Sequence, residues 1–376
     1  MLFKLFLLLE PHMKDVRTLK LLNIFKYLTF RAAFAAITAF AVCVIVGPFF
    51  IAYLRRRKIG ERTDKTDSQF LADLHKDKAN TPTMGGALIV IATVVSCFFW
   101  ADPLNFYVLV ACLCVIYLGM VGFVDDNIKL TDPSKKGLTV KVKFVAQILL
   151  AIVVALTLSR HYEAIQAEWG TLLQLPFVSN AKFQYLMPLA IFIPFVVIVI
   201  VGSSNAVNLT DGLDGLAPGC TVMAAGAFAV LSYVAGNAVF SRYLFVQYVP
   251  GAGELAVFCG ALAGATLGFL WFNCHPAEVF MGDTGSLPLG GAIGFVAVAI
   301  KQELLLAIIG GIFVAEAVSV IVQVFHYKCT KRRVFRCAPL HHHFQFGGLA
   351  ESKVTIRFWI IAAILAAFGL ATLKLR

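Results

Sequence analysis

Long apolar runs constrain this chain more than any other feature of its sequence. A helix needs about 20 mostly apolar residues to cross the hydrocarbon core of a bilayer, and ten runs reach or approach that length. They are continuous rather than alternating, and they exceed the about 9–11 residues of a transmembrane β-strand. The sequence therefore predicts an all-α integral membrane protein with about ten transmembrane helices. The runs span residues 32–53, 83–100, 106–124, 142–159, 186–202, 215–235, 255–272, 286–300, 304–325 and 356–373.

Composition supports this class of protein. Hydrophobic residues make up 60% of the 376 positions and charged residues 14%, against about 45–50% and about 25% in soluble domains. The formal net charge of +11 could indicate a nucleic-acid partner, but basic residues in membrane proteins gather in the cytoplasmic loops. We therefore expect a lipid bilayer around the chain and no nucleic acid. Most of the nine cysteines lie in apolar runs, so no disulfide framework is predicted.

The chain divides into a short N-terminal segment and one large domain. The segment from Lys20 to Leu28 is typical of an amphipathic helix that lies at the membrane interface. We therefore predict an interfacial segment at residues 1–31 and a single polytopic membrane domain at residues 32–376.

The charge of the loops predicts which side of the membrane each one occupies. With ten spans, five loops share one side: 54–82, 125–141, 203–214, 273–285 and 326–355. These loops hold or flank 20 of the 32 lysines and arginines, whereas the opposite loops and the C-terminus hold six. The positive-inside rule therefore assigns the first set to the cytoplasm. The polar motifs of the chain lie in these same loops, so we expect one active site at the cytoplasmic face.

An acid pair, Asp125-Asp126, follows the third apolar run. Carboxylates at a helix C-terminus face the unfavourable end of the helix dipole, and adjacent carboxylates repel each other. The pair could simply be solvated, but we favour a functional role in which it binds a cation. That cation could be a metal ion or a lysine of the same loop: Lys129, Lys135, Lys136 or Lys141.

Two further polar clusters adjoin predicted helices. Asn208, Asp211 and Asp214 recur at every third position, which predicts one shared helical face, whereas a single acid would be enough to cap the sixth run. Asp283 lies just before the eighth run, between Gly282 and Gly285. It could be a helix N-cap, or it could belong to a phosphate or metal-phosphate site at the helix N-terminus.

Three consecutive histidines, His341, His342 and His343, lie in the last of these loops. In an extended segment, alternate side chains would point the same way. Cys329 and Cys337 lie nearby, but their spacing from the histidines matches no common zinc pattern. We favour histidines that donate to phosphate oxygens over a zinc site, with a charge that changes near neutral pH.

Five motifs occur in order along the chain: Thr81-Pro-Thr-Met-Gly-Gly86, Asp125-Asp126, Asn208-Leu-Thr-Asp-Gly-Leu-Asp-Gly-Leu-Ala217, Gly282-Asp-Thr-Gly-Ser286 and Pro339-Leu-His-His-His-Phe344. Together they resemble the polyprenyl-phosphate N-acetylhexosamine-1-phosphate transferase superfamily, and in particular its muramoyl-pentapeptide branch. The resemblance extends from about Tyr27 to the C-terminus. Two positions depart from the family pattern: Gln345 stands where Glu is usual, and Asn80 where Gly is usual.

The resemblance implies transfer of phospho-MurNAc-pentapeptide from UDP-MurNAc-pentapeptide to undecaprenyl phosphate, which gives lipid I and UMP. It implies a bacterial inner-membrane enzyme that requires Mg²⁺ and forms a homodimer. Asp283 would be the chief Mg²⁺ ligand, with Asn208 assisting. Asp125 and Asp126 would position or deprotonate the lipid phosphate, and His342 would join them as a catalytic residue.

Further substrate contacts follow from the same resemblance. Uridine would be held by Lys78, Asp214, Asn273 and Phe280, the last by stacking on the base. The pyrophosphate and sugar would be surrounded by Lys141, Asp211, His341, His342 and His343.

The chemical mechanism stays open between two routes. We favour direct attack of the lipid phosphate on the β-phosphorus, because a phosphate monoester has a second pKa of about 6 and is largely ionised near neutral pH. The alternative is a covalent phosphosugar–aspartate intermediate, with UMP leaving first.

Two other functions are alternatives. One is a sister transferase that uses UDP-GlcNAc. The other is a secondary transporter, which would also have many spans with acids and glycine breaks. Transporters keep ionisable groups near the bilayer midplane, whereas these acids lie at loop boundaries, and the two halves of the sequence show no repeat.

Overall fold

The structure, a computed structural model, describes residues 23–57, 81–131, 137–178 and 185–375. Within these ranges the chain is an all-α membrane protein with one short antiparallel pair of strands, β1 (Leu172–Leu173) and β2 (Tyr185–Leu186). The helices are α1 Leu28–Arg56, α2 Gly86–Trp100, α3 Phe106–Thr131, α4 Val140–Ala164, α5 Leu189–Thr210, α6 Leu216–Ala235, α7 Ala238–Tyr243, α8 Leu255–Asn273, α9 Asp283–Ala299, α10 Glu303–Ile309, α11 Gly311–Thr330, α12 Leu340–Gln345 and α13 Glu351–Ala371.

Each of the ten apolar runs contains helix, although the bounds differ from the prediction. Among the described helices, eight are long and apolar enough to cross a bilayer, while α2 and α9 are apolar but have only 15 and 17 residues. The ninth run, 304–325, is interrupted at Gly310-Gly311, where α10 ends and α11 begins. Consecutive glycines weaken a helix because of their backbone freedom. Most of the predicted interfacial segment, residues 1–22, lies outside the described residues.

Two helix ends change the prediction for the polar motifs. Helix α3 continues to Thr131, so Asp125-Asp126 lie inside a helix rather than in a loop. Helix α5 continues through Asn208 to Thr210, and the chain then leaves the helix at Asp211. The prediction of one helical face shared by Asn208, Asp211 and Asp214 is therefore wrong. The next helix begins only after Gly215, whose φ of 73° lies in the left-handed region that favours glycine.

Small residues allow α1 to pack closely on α8. Gly260, Gly264 and Gly268 recur at every fourth position of α8, and a Cβ added at each would overlap α1. The contacts at Gly260 and Gly264 are with the backbone of Ala32 and Ala36. Association of helices in lipid depends on such close packing, because lipid tails are as apolar as the side chains they contact.

Helix α9 lies at the centre of the bundle, and all of its residues are buried. On one side Gly122 of α3 lies against the backbone of Asp283, without room for a Cβ. On another side Gly290 and Gly294 pack against α5 around Ser203. A helix enclosed by protein does not face lipid along its length. Helix α9 can therefore be shorter, at 17 residues, than α3 and α5, which pack against it.

Replacing Gly122 with alanine should move α3 away from α9, because the added methyl group would overlap the carbonyl of Asp283. Overpacking of this kind costs about 1–3 kcal/mol, so we expect a lower melting temperature in detergent. Gly226→Ala on α6 is the control, because its Cβ position is open, and it should melt like the wild type. Equal melting temperatures for the two variants would show that the close approach is unnecessary.

Candidate functional site

Three carboxylates from two helices meet at one end of the bundle. Asp125 and Asp126 lie in the last two turns of α3, and Asp283 is the first residue of α9. All three are buried, and one oxygen of each lies within 4.8 Å of the others. Like charges at this separation repel strongly away from bulk water. The three carboxylates therefore need positive charge close by.

Two lysines supply that charge. Lys129 lies one turn after Asp125, and its Nζ is 2.7 Å from Asp125 Oδ2 and 2.8 Å from Asp283 Oδ2. Lys143, in the first turn of α4, has its Nζ 2.7 Å from Asp283 Oδ2 and 3.6 Å from Asp125 Oδ2. The Nζ of Lys129 is also 3.6 Å from Asp126 Oδ1. With all five groups ionised, this acid–lysine cluster of Asp125, Asp126, Asp283, Lys129 and Lys143 carries a single net negative charge.

Neutral donors fix the acid pair of α3. Thr284 donates to Asp126 Oδ2 twice, from its backbone N–H at 2.9 Å and from its hydroxyl at 2.7 Å. The backbone N–H of Leu138 donates to Asp125 Oδ1 at 2.6 Å. Gly282 has a φ of 69°, and a Cβ there would lie 2.6 Å from Asp126 Oδ2. The glycine before Asp283 is therefore required by both backbone conformation and space.

Asn208 brings α5 into the same site. Its Nδ2 donates to Asp283 Oδ1 and, at 2.8 Å, to Ser286 Oγ. Asp283 itself follows the N-cap residue of α9, which is Gly282. Its carboxylate contacts α3, α4 and α5 rather than capping its own helix, so the reading of Asp283 as a simple N-cap is wrong.

The Thr81–Gly86 motif lies directly beside the loop that precedes α9. The backbone N–H of Phe280 donates to Pro82 O at 2.8 Å, and Gly85 N–H donates back to Phe280 O at 2.8 Å. Gly86 N–H donates to Met281 O at 2.9 Å. Phe280, a predicted uridine contact, is thereby held in this backbone pairing and is half-buried.

Asp214 and Asn273 belong to a second polar cluster. Asp214 Oδ2 is 3.1 Å from His275 Nδ1, and the backbone N–H of Asp214 donates to Glu351 Oε1 at 2.8 Å. Asn273 Oδ1 accepts a hydrogen bond from Gly215 N–H at 3.0 Å. Asp214 and Asn273, two of the predicted uridine contacts, are therefore neighbours in the fold.

The three histidines lie in the short helix α12, so the prediction of an extended segment is wrong. Consecutive residues of a helix are about 100° apart, and alternate histidines cannot share one face. His341 is fully buried, whereas His342 and His343 are half-buried. His342 Nδ1 is 2.8 Å from Gln345 Oε1, so a residue that departs from the family pattern contacts the middle histidine.

The predicted lysines have different outcomes. Lys78, like Asn80, lies outside the described residues. Lys141 is exposed on the first turn of α4, and Lys143, two residues later, reaches the carboxylates instead. Sequence reasoning gave Lys143 no role. Thr139 is the sequence signal that could have pointed to Lys143. It caps α4 by accepting a hydrogen bond from Val142 N–H, and a helix that begins after Thr139 has Lys143 in its first turn.

The acid–lysine cluster is also the group that best fits a divalent metal ion. Carboxylate oxygens are the ligands that Mg²⁺ and Ca²⁺ favour, and the three carboxylates come from a rigid pair of packed helices. Asp214, His275 and Glu351 form another group within ligand distance. In the part of the chain that the structure describes, neither group includes a cysteine or one of the three consecutive histidines.

Comparisons with known proteins identify the family of the chain. The family model described as "Glycosyl transferase family 4" matches residues 108–301, a range that contains all five members of the acid–lysine cluster. Fold and site together therefore define a polytopic membrane transferase. A second model, described as "Phospho-N-acetylmuramoyl-pentapeptide-transferase signature 1", matches residues 78–90.

Curated relatives match almost the full length of the chain. A protein of Koribacter versatilis is 51% identical over 369 residues, covering 94% of this chain and 95% of the relative. A protein of Citrifermentans bemidjiense is 49% identical, covering 99% and 100%, and one of Methylacidiphilum infernorum is 48% identical, covering 95% and 97%. Each is named phospho-N-acetylmuramoyl-pentapeptide-transferase. The chain belongs to this family, within glycosyl transferase family 4.

Replacing Lys143 with methionine should destabilise the protein, because the three carboxylates would share one ammonium group. Breaking a buried ion pair from one side costs about 3–5 kcal/mol, so the melting temperature in detergent and chelator should fall clearly. A divalent cation should restore much of the loss by replacing the missing charge. The matched control is Lys141→Met, which should melt like the wild type. If both variants melt alike, Lys143 is not the charge partner of the carboxylates.

Proposed function

We propose that this protein transfers phospho-MurNAc-pentapeptide from UDP-MurNAc-pentapeptide to undecaprenyl phosphate, giving lipid I and UMP. The observation that carries the proposal is the acid–lysine cluster at the end of an apolar helical bundle. Both substrates carry phosphate, one from water and one from lipid, and the end of a membrane bundle is accessible from both. Relatives that share about half of the residues carry the name of this activity.

Mg²⁺ is the metal that we propose for this site, held by Asp283 with Asn208 assisting. The amide nitrogen of Asn208 already donates to Asp283, which leaves its side-chain oxygen as the atom for a metal. When bound, Mg²⁺ would neutralise phosphate charge and stabilise the charge that develops during transfer. The donor set of carboxylate and amide oxygens supports this choice.

Lys129 and Lys143 would bind phosphate oxygens. The reaction brings several negative phosphate groups together, and positive groups held in advance are an effective way to stabilise that charge. Each lysine already bridges two carboxylates at the centre of the cluster. An ammonium group can exchange a carboxylate partner for a phosphate oxygen with little movement of its side chain.

We propose direct attack by the lipid phosphate. One of its oxygens forms a bond to the β-phosphorus, and the bond between that phosphorus and the UMP oxygen breaks. Asp125 and Asp126 position the nucleophile and take up a proton where one remains. Their fixed orientation supports this role, since Leu138 and Thr284 hold one oxygen of each carboxylate.

The second polar cluster would hold the nucleoside. Asp214 and Asn273 would bind uridine with Lys78, and Phe280 would stack on the base. Lys141 and Asp211, with the half-buried His342 and His343, would surround the pyrophosphate and sugar, and His342 would take part in catalysis. His341 is fully buried and would act through its neighbours.

We also propose a bacterial inner-membrane location, a homodimer, and a cytoplasmic site. Asp125 and Asp283 belong to one group of carboxylates, and Asn208 donates to Asp283. The loop that begins at Asp125, residues 125–141, is rich in lysine. The positive-inside rule supports the cytoplasm for that end of the bundle.

The direct test is release of UMP by the purified protein with UDP-MurNAc-pentapeptide, undecaprenyl phosphate and Mg²⁺. We expect UMP and a lipid-linked product, and neither when the lipid acceptor or Mg²⁺ is omitted. Turnover with UDP-GlcNAc in place of the pentapeptide substrate would favour the sister transferase. Substrate flux across sealed vesicles without UMP release would favour the transporter.

Asp283→Asn keeps the size of the side chain but removes the charge that would hold Mg²⁺. We expect UMP release to fall by at least ~10²-fold, as when a major electrostatic contribution to catalysis is lost. Glu278→Gln is the control, because Glu278 is an exposed acid in the preceding loop, and it should stay near wild-type activity. Near-normal turnover of Asp283→Asn at low Mg²⁺ would remove Asp283 from the metal site.

Asp125→Asn separates the two mechanisms. If Asp125 positions or deprotonates the lipid phosphate, the variant should be slowest at low pH and recover part of its rate above pH 6, where the lipid phosphate ionises unaided. A covalent role for Asp125 predicts no alkaline recovery, because Asn lacks the nucleophilic oxygen.

The wild-type protein gives an independent check on the same question. Direct attack predicts no UMP when the donor substrate is mixed with enzyme but without lipid acceptor. A burst of UMP equal to the enzyme concentration would overturn direct attack and make an aspartate the nucleophile.

A further inference from the structure

Glu316 is a buried carboxylate outside the acid–lysine cluster. It lies on α11, a helix that buries only one stripe of residues: Ile312, Phe313, Glu316 and Ser319. The side chain of Glu316 is 0% exposed. A carboxylate buried in apolar surroundings is costly unless a partner compensates its charge or its hydrogen-bonding capacity. Because Glu316 lies in the buried stripe of a lipid-facing helix, we expect it to have a specific partner.

His341 is that partner. Its backbone N–H donates to Glu316 Oε1 at 3.1 Å, and its Nδ1 lies 3.3 Å from the same oxygen. Glu316 Oε2 and both ring nitrogens of His341 are buried, and none of them makes a hydrogen bond within the described residues. The carboxylate and the imidazole face each other at a distance where a proton on Nδ1 makes them an ion pair.

The other edge of the His341 ring presses on the turn that follows α5. A Cβ added at Gly212 would overlap Nε2 of His341. Gly212 comes directly after Asp211, the C-cap of α5, and the last turn of α5 carries Asn208. The imidazole thus fills the space between the buried stripe of α11 and the end of the helix that supplies a contact to Asp283.

We propose that Glu316 and His341 form a positioning pair. Glu316 holds the His341 ring against Gly212 and thereby fixes the end of α5, with Asn208, relative to the lipid-facing helix α11. His341 then acts on the site through the backbone of α5 and not by touching a substrate. The kinetic consequence rests on the proposed transferase function, whereas the coupling between the two side chains does not.

A double-mutant cycle tests the pair without reference to any reaction. Glu316→Gln keeps an oxygen that can accept from His341 N–H and removes only the charge. Melting temperatures in detergent should fall for Glu316→Gln and for His341→Gln, and the double variant should fall no further than the worse single one. Ser319→Ala, on the same stripe, should combine additively with His341→Gln. Additive effects in the Glu316–His341 cycle would overturn the pair.

Kinetics separate positioning from simple support of the fold. Gly212→Ala would displace the His341 ring without changing either partner, and Gly202→Ala on α5 is its control, because its Cβ position is open. We expect Gly212→Ala and Glu316→Gln to lower kcat roughly 10- to 100-fold, as a small misplacement of a site group does, with KM for the nucleotide substrate little changed. Gly202→Ala should keep wild-type kcat.

Two outcomes are decisive. Wild-type kcat in folded Gly212→Ala and Glu316→Gln proteins would overturn the positioning role even if their melting temperatures fall. A wild-type protein without transferase activity would end the proposed function instead, and the unfolding cycle would still show whether Glu316 and His341 are coupled.

Discussion

Three carboxylates in a buried site repel one another unless positive charge lies among them. In this protein Lys129 and Lys143 provide it, and they come from different helices. Helices α3, α4 and α9 must therefore converge at one end of the bundle, and Asn208 adds α5 to the same point. The position of these four helix ends follows from this one electrostatic requirement.

Convergence of that kind is possible only where side chains are small. Gly122 brings α3 against the backbone of Asp283, and Gly290 and Gly294 bring α9 against α5. In lipid such contacts are also the main source of helix association, because burial of apolar side chains gains little there. The same glycines therefore stabilise the bundle and set the distances in the site. This link makes the geometry of the cluster sensitive to a single methyl group added where the helices pack.

The fold brings several polar motifs of the sequence together, although the local structure predicted for some of them was wrong. Asp125, Asp126, Asn208 and Asp283 were singled out from spacing and helix-end chemistry, and the fold brings them into contact. Lys143 was not predicted, because the sequence of a basic loop does not show which of its lysines will contact the acids. Helix ends were the weak point, since α3 and α5 extend beyond their apolar runs. A helix can continue through polar residues when other helices supply their hydrogen-bond and charge partners. Hydropathy alone does not show those partners, so it ends the helix too early.

The sequence by itself determined the class of structure and the set of chemical groups available for a site. Ten apolar runs require helices in lipid, because a bilayer leaves backbone groups no other partners, and the five motifs limit the chemistry to a few acids, amides and histidines. Only the tertiary structure decided which lysines meet the acids, that Asp214 contacts His275, and that His341 is buried against Glu316. These pairings join residues distant in the chain. They depend on how closely helices approach, which is decided by packing of the whole bundle and is absent from any local pattern.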